Sequence, residues 1–183
     1  MDSPEFAQIL FSGAEIQTRV RELGTAISED YQDRTPHLVG VLRGVVPFMA
    51  DLARAISVPL TLDFIDISRY GPSTGMQGVV RFVKDLDDSI AGRHILFVED
   101  VVDTGLTLNY ILRTLQHRYP ASLQVCTLFD RTVRRLVNDL PIAYRGFDLP
   151  DQFVVGYGLD HREHYRNLPY VAVLQPSVYL PSP

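Results

Sequence analysis

An α/β fold built on a parallel sheet is the expectation for this 183-residue chain, and three observations carry it. Short apolar runs alternate with helical patterns, as in β-α-β units. The runs at 38–42, 95–98 and 123–129 are mainly apolar, as in strands buried on both faces. Each of these runs ends directly in Arg43-Gly44, Glu99-Asp100 or Asp130-Arg131. Those groups therefore share the carboxyl edge of the sheet, where open α/β sheets bind ligands.

In chain order, residues 12–32 read as an amphipathic helix. Ser12 and Glu15 make a capping box, and Ile16, Val20, Leu23 and Ile27 share a face. Leu38 to Leu42 is a strand, Arg43-Gly44 a turn, and Pro47 to Ile56 a helix with proline near its start. Pro59 introduces the strand Leu60 to Ile67. Residues 68–78 hold three glycines and a proline, and are expected to form a long hairpin loop that acts as a mobile lid. Val79 to Val83 resumes strand character. The strand 94–98 leads to a helix from Leu106 to about Tyr119, stopped by Pro120. Leu123 to Phe129, Ile142 to Phe147, Phe153 to Tyr157 and Tyr170 to Leu174 complete the strands. The tail Pro176 to Pro183, with three prolines, is expected to be extended and partly frayed.

Bulk properties narrow the class. The chain is 46% hydrophobic and 21% charged, ordinary for a globular domain. A net charge of −5, with no run of basic residues, disfavours nucleic acid as a partner. Arg131, Arg134 and Arg135 form a small local group suited to an anionic small molecule. The single cysteine, Cys126, lies in an apolar run and reads as a core residue, which suits a reducing compartment. Met1 to Glu5 is acidic and does not resemble a secretory signal, and apolar stretches fall short of a membrane span. A cytoplasmic protein without a membrane partner is the expectation.

The stretch Val98-Glu99-Asp100-Val101-Val102-Asp103-Thr104-Gly105-Leu106-Thr107 carries the chemistry. A helix N-terminus after a small-residue turn presents free N–H groups and a favourable dipole to phosphate. Neighbouring carboxylates accept from sugar hydroxyls or hold Mg²⁺. Three acids so close repel one another unless a cation or a hydrogen-bonded ligand lies between them. His161 and His164 stand at helical spacing, but no cysteine or third histidine is near in sequence, so they read as surface residues rather than a metal centre.

That acidic stretch resembles the phosphoribosyl-pyrophosphate loop of type I phosphoribosyltransferases. Leu42-Arg43-Gly44, Val83-Lys84-Asp85-Leu86-Asp87 and Phe153-Val154-Val155-Gly156-Tyr157-Gly158-Leu159-Asp160 extend the resemblance to the bacterial hypoxanthine-guanine group, over roughly residues 8 to 175. It implies one phosphoribosyltransferase domain over 1–183. The core would span about 8–150, with a small hood drawn largely from 151–175 and an N-terminal contribution left open.

It also implies a reaction in which hypoxanthine or guanine displaces pyrophosphate from phosphoribosyl pyrophosphate, giving IMP or GMP, with Mg²⁺ as cofactor. By resemblance, Arg43, Gly44 and Arg166 meet pyrophosphate, at a turn where the family often has a non-proline cis peptide. Asp160 holds one Mg²⁺. Glu99 and Asp100 hold the ribose hydroxyls, directly or through a second Mg²⁺. Asp103, Thr104, Gly105, Leu106 and Thr107 cradle the 5′-phosphate, and Asp103 is the general base for purine N7. Arg131 donates to the 6-oxo group, Phe153 stacks on the ring, and the backbone of Val154 meets the 2-position. Ser68, Arg69 and Tyr70 belong to the loop that closes over the site. A homodimer or homotetramer is implied.

Three departures stand out. Arg131 and Arg43 occupy places where lysine is common, and Arg69 separates a serine and tyrosine that are usually adjacent. Arginine and lysine differ in reach and donor geometry, so the choice among hypoxanthine, guanine and xanthine stays open. A xanthine-preferring enzyme is one alternative. A non-catalytic nucleotide-binding regulator on the same fold is another, though Asp103 and the acidic charge argue against it. A generic flavodoxin-like nucleotide module would leave 153–160 and the 68–78 loop without a purpose.

Overall fold

The computed structural model describes residues 5–70 and 79–180, with the backbone alone at 69, 70, 79 and 80. Nine strands and four α-helices are found among them: β1 (Phe6–Phe11), α1 (Gly13–Asp30), β2 (Pro36–Val41), α2 (Val46–Ala55), β3 (Thr61–Tyr70), β4 (Val79–Lys84), β5 (His94–Val102), α3 (Leu106–Gln116), β6 (Ser122–Asp130), β7 (Ile142–Asp148), β8 (Val154–Val155), β9 (Val171–Leu174) and α4 (Pro176–Tyr179). A single 3₁₀ turn, Thr132–Arg134, follows β6.

Six strands form the main sheet in the order β4-β3-β2-β5-β6-β7. All neighbours are parallel except β3 and β4, an antiparallel hairpin whose connecting residues lie outside the described ones. Successive side chains of a strand point to opposite faces, and here both faces are covered. Leu38, Leu96, Val98, Cys126 and Leu128 pack with Ile16, Val20, Leu23 and Ile27 of α1 and Phe48, Met49 and Leu52 of α2. Val39, Ile95, Phe97 and Val125 pack on the other face with Leu108, Ile111 and Leu115 of α3. Coverage on both sides explains why these strands read as unbroken apolar runs. Cys126 is fully buried, and burial pushes its thiol well above the ordinary range.

Ser12 caps α1 as the spacing predicts: Glu15 N–H donates to Ser12 Oγ at 3.3 Å, and Ser12 N–H donates to Glu15 Oε2 at 2.8 Å. A second, three-stranded sheet joins the two ends of the chain in the order β1-β9-β8. Phe11 of β1 lies 4.4 Å from Phe147 and 5.6 Å from Phe129, centroid to centroid, and so ties this sheet to the main one. No helix among the described residues is long and apolar enough to cross a membrane.

Several elements depart from the sequence expectation. The strand expected at 94–98 continues to Val102, so Glu99 and Asp100 lie inside β5 and not beyond it. The helix expected to reach Tyr119 closes at Gln116, and Tyr119 takes a positive φ of 56°. The strand expected at 153–157 shortens to Val154–Val155, because Gly156, Tyr157 and Gly158 all turn to positive φ. Pro176 opens a short helix where an extended tail is expected, proline being at home in a first helical turn; 181–183 lie outside the described residues.

Candidate active site

The chain runs from β2 to β3 in one direction across the sheet and from β5 through β6 to β7 in the other. The order reverses between β2 and β5, and such a switch point leaves a crevice at the strands' carboxyl ends. Gly40 of β2 stands in register with Val98 of β5. The Arg43-Gly44 turn therefore comes up beside Glu99 and Asp100. The Leu42–Arg43 peptide bond is cis. A side chain at Gly44 would run into the Asp100 carboxylate, and one at Gly158 into the Gly44 carbonyl. The turn after β2 and the 156–160 loop thus meet almost backbone to backbone, and the Asp100 side chain of β5 packs directly against the turn.

Charge is concentrated where they meet. Burial first, with Asp160 nearby, pushes the Asp100 carboxyl up to about 6, against the opposing pull of the Val101 and Asp100 amides and Arg166. Val101 N–H donates to Asp100 Oδ1 at 2.8 Å. Arg166 Nη2 lies 2.9 Å from Asp160 Oδ1, and Arg166 Nη1 donates to Gly158 O at 2.8 Å. Glu163 draws both cations together, with Oε2 3.2 Å from Arg43 Nη1 and Oε1 3.2 Å from Arg166 Nη2. Its own amide donates to Asp160 Oδ2 at 2.9 Å.

After β5 the chain turns through Asp103 and Thr104 to Gly105, which has a φ of +81° and caps α3. The first amides of a helix have no intrahelical acceptor and face outward from its N-terminus. Thr104 O accepts from Leu136 N–H at 2.9 Å, and Asp103 O from Arg135 Nε at 3.2 Å, so the segment after β6 braces this turn. Arg131 Nη1 and Arg134 Nη1 stand 3.8 and 3.9 Å from Asp103 Oδ2. Asp103 Oδ1 is buried and has no hydrogen-bond partner among the described residues. Arg131 Nη2 donates to Gln152 O at 2.9 Å, which places its guanidinium next to Phe153. Burial lowers the Arg131 guanidinium from its ordinary value, and the Asp103 charge opposes this.

The result is a two-lobed cleft. One lobe, about 290 Å³, is bordered by Arg131, Phe153, Val154 and Leu159 together with Asp100, Asp103, Asp160 and Arg166. The other, about 730 Å³, shares those last four and adds Arg43, Gly44, Glu99, Thr104, Gly105, Thr107 and Glu163. Asp103 thus stands where the lobes join. Nearly every residue singled out from sequence borders the cleft. Leu106 does not; it is exposed and offers only its helix-start amide. Ser68 lies in β3, paired with Arg81, and borders neither lobe. The side chains of Arg69 and Tyr70, and residues 71–78 of the expected lid, lie outside the described residues. Lys84 also borders neither lobe; it bonds Asp63 at 3.0 Å, Asp87 at 3.1 Å and Phe64 O at 2.8 Å, clasping the base of the β3–β4 hairpin.

Glu163 is a site residue that sequence reasoning missed. Its place depends on a tight turn in which Arg162 and Glu163 both take positive φ, and no spacing pattern announces that. The same turn corrects the helical spacing read for His161 and His164, which face each other across an antiparallel bridge. No group of three or more His, Cys, Asp or Glu residues forms a metal cage among the described residues. Asp100 and Asp160 nevertheless make a carboxylate pair whose charges repel. That suits Mg²⁺, which takes one or two protein carboxylates and completes its shell with water and substrate phosphates.

A phosphoribosyl transferase domain model matches residues 8–162. The chain is 47% identical over 175 residues to the hypoxanthine-guanine phosphoribosyltransferase of Bacillus subtilis, covering 96% of this chain and 97% of that one. It is 48% identical over 181 residues to the enzyme of the same name from Mycobacterium tuberculosis, covering 96% and 89%. Among solved structures, a hypoxanthine phosphoribosyltransferase from Staphylococcus aureus superposes with a TM-score of 0.92 at 42% identity, covering 98% of both chains.

Proposed function

The chain belongs to the phosphoribosyl transferase domain family, and within it to the hypoxanthine-guanine phosphoribosyltransferases; from that premise we propose that it transfers the phosphoribosyl group to hypoxanthine or guanine, giving IMP or GMP and pyrophosphate. The observation that carries the reading is Asp103 Oδ1, a buried and unpartnered carboxylate oxygen at the junction of the two lobes.

The smaller lobe suits the base. Phe153 would offer a ring face, Arg131 a donor for the 6-oxo group, and the Val154 backbone would meet the 2-position edge. The larger lobe suits the phosphoribosyl group. The Asp103–Thr107 turn and the start of α3 would bind the 5′-phosphate. Glu99 and Asp100 would hold the ribose hydroxyls, and Arg43, the Gly44 amide and Arg166 the pyrophosphate. Asp103 would then accept the purine N7 proton as the glycosidic bond forms. Arg43 and Arg166, both held by Glu163 in the free protein, would release it to neutralise the charge growing on pyrophosphate. Asp160 and Asp100, with Glu99, fit Mg²⁺ bound together with substrate, and the ion would supply charge neutralisation at the leaving group. We place the enzyme in the cytoplasm as a homodimer or homotetramer.

The test is turnover of hypoxanthine, guanine, xanthine and adenine with phosphoribosyl pyrophosphate and Mg²⁺. Rapid conversion of hypoxanthine and guanine supports the reading. A lead for xanthine, which Arg131 in place of lysine makes worth measuring, overturns the purine assignment but keeps the transferase. No turnover of any base overturns the enzyme.

A further inference from the structure

The geometry points to Tyr179, in the short C-terminal helix α4, as a positioning residue that backs the base-stacking ring and sets affinity for the purine. This rests on the assignment of Phe153 to the base.

Phe153 lies just before β8 and is 37% exposed, so burial alone does not fix its ring. Two rings hold it instead. Tyr179 stacks on it with centroids 4.7 Å apart and planes at 17°, and His161 meets it edge-on at 5.5 Å and 85°. Phe153 is a wall shared by two cavities. In front is the lobe that also holds Asp103. Behind is a separate space of about 350 Å³, which Tyr179 and Pro176 border and Asp103 does not. Tyr179 borders the rear space and neither lobe of the cleft, which fits a Tyr179 ring on the side of Phe153 turned away from a planar base.

The backbone supports the same arrangement. Leu174 N–H donates to Phe153 O at 2.9 Å, and Gln175 N–H to Glu5 O at 2.8 Å, which pins the segment leading into α4 beside Phe153. Val178 N–H then donates to Gln175 O at 2.9 Å and Leu180 N–H to Pro176 O at 2.9 Å, closing the turn that presents Tyr179. A purine on the front face makes a stack of three rings. Without Tyr179 the Phe153 ring regains rotational freedom, which binding of the base must remove. The phosphate-binding turns lie in the other lobe and are untouched.

The experiment measures KM for hypoxanthine, KM for phosphoribosyl pyrophosphate and kcat in wild type, Tyr179→Ala, Tyr179→Phe and Phe153→Ala. An aromatic pair of this geometry corresponds to roughly a 3- to 10-fold rise in KM for hypoxanthine in Tyr179→Ala. The other two constants should hold, and Tyr179→Phe should restore the wild-type value. If Phe153→Ala raises KM for the base and Tyr179→Ala does not, the inference falls and the base site stands. If Tyr179→Ala changes all three constants together, its role is merely structural and the inference falls. If neither alanine variant moves KM for the base, the base assignment falls and the inference with it.

Discussion

Asp100→Asn should stabilise the ligand-free protein while disabling the site. Asp100 is half-buried at the junction of β5, the Arg43-Gly44 turn and the 156–160 loop, and its carboxyl is pushed from 3.8 up to about 6, chiefly by loss of solvent. In the unfolded chain the group titrates at its ordinary value. Between pH 4 and 6 the folded state therefore binds more protons than the unfolded one, and stability falls as pH rises through that window. About two units at 1.36 kcal/mol each place the penalty for holding Asp100 ionised at neutral pH near 3 kcal/mol. Asparagine keeps the shape and can still accept from Val101 N–H, but carries no charge. The ceiling of its gain at pH 8 is thus about 3 kcal/mol, and for a chain of this length each kcal/mol moves Tm by about 2–4 °C. Thermal unfolding of both ligand-free proteins from pH 4 to 8, at one protein concentration, reads it directly. The variant should melt several degrees higher at pH 8, with the gap closing towards pH 4. A variant less stable at pH 8, or a gap independent of pH, would refute the reasoning that this charge is held at the expense of the fold.

Three further outcomes follow from the geometry. Gly44→Ala forces a methyl against the Asp100 carboxylate; kcat/KM should fall on the order of 100-fold by displacement of the site, with circular dichroism unchanged, and wild-type kinetics would contradict the close approach. Arg131→Lys surrenders the bond to Gln152 O and should change the hypoxanthine-to-xanthine ratio of kcat/KM by on the order of tenfold, whereas an unaltered ratio would remove Arg131 from base recognition. Tyr157→Phe deletes a hydroxyl that donates to Asp51 Oδ2 at 2.5 Å. Hydrogen bonds to charged groups contribute about 1.5–3 kcal/mol, so the urea midpoint should fall, and an unmoved midpoint would show that this link between α2 and the 156–158 loop carries no stability.

Much of this arrangement was legible in the residues because it rests on local rules. The Ser12 and Glu15 cap, the doubly covered strands and the helix start after Gly105 each follow from a few adjacent side chains. The convergence of Arg43, Asp103 and Arg131 follows from their common place just beyond β2, β5 and β6. What escaped depends on distant partners or unusual backbone. Strand β1 is largely exposed and becomes a strand by pairing with β9, more than a hundred residues away. Glu99 and Asp100 seemed to end a strand because acids seldom lie within one, yet the cleft spares them full burial between sheet faces and β5 runs on beneath them. Glu163 reaches Arg43 and Arg166 through two residues with positive φ. Tyr179 finds Phe153 through a turn begun by Pro176, where three prolines suggested only an extended tail.

On the proposed mechanism Asp103 serves the transfer itself and is more than a brace for the turn before α3. Steady-state kinetics of Asp103→Asn with hypoxanthine, phosphoribosyl pyrophosphate and Mg²⁺ tests it most directly. Loss of a general base should lower kcat by about 10²–10⁴-fold, with KM for phosphoribosyl pyrophosphate and Tm close to wild type. A kcat near wild type would contradict the account.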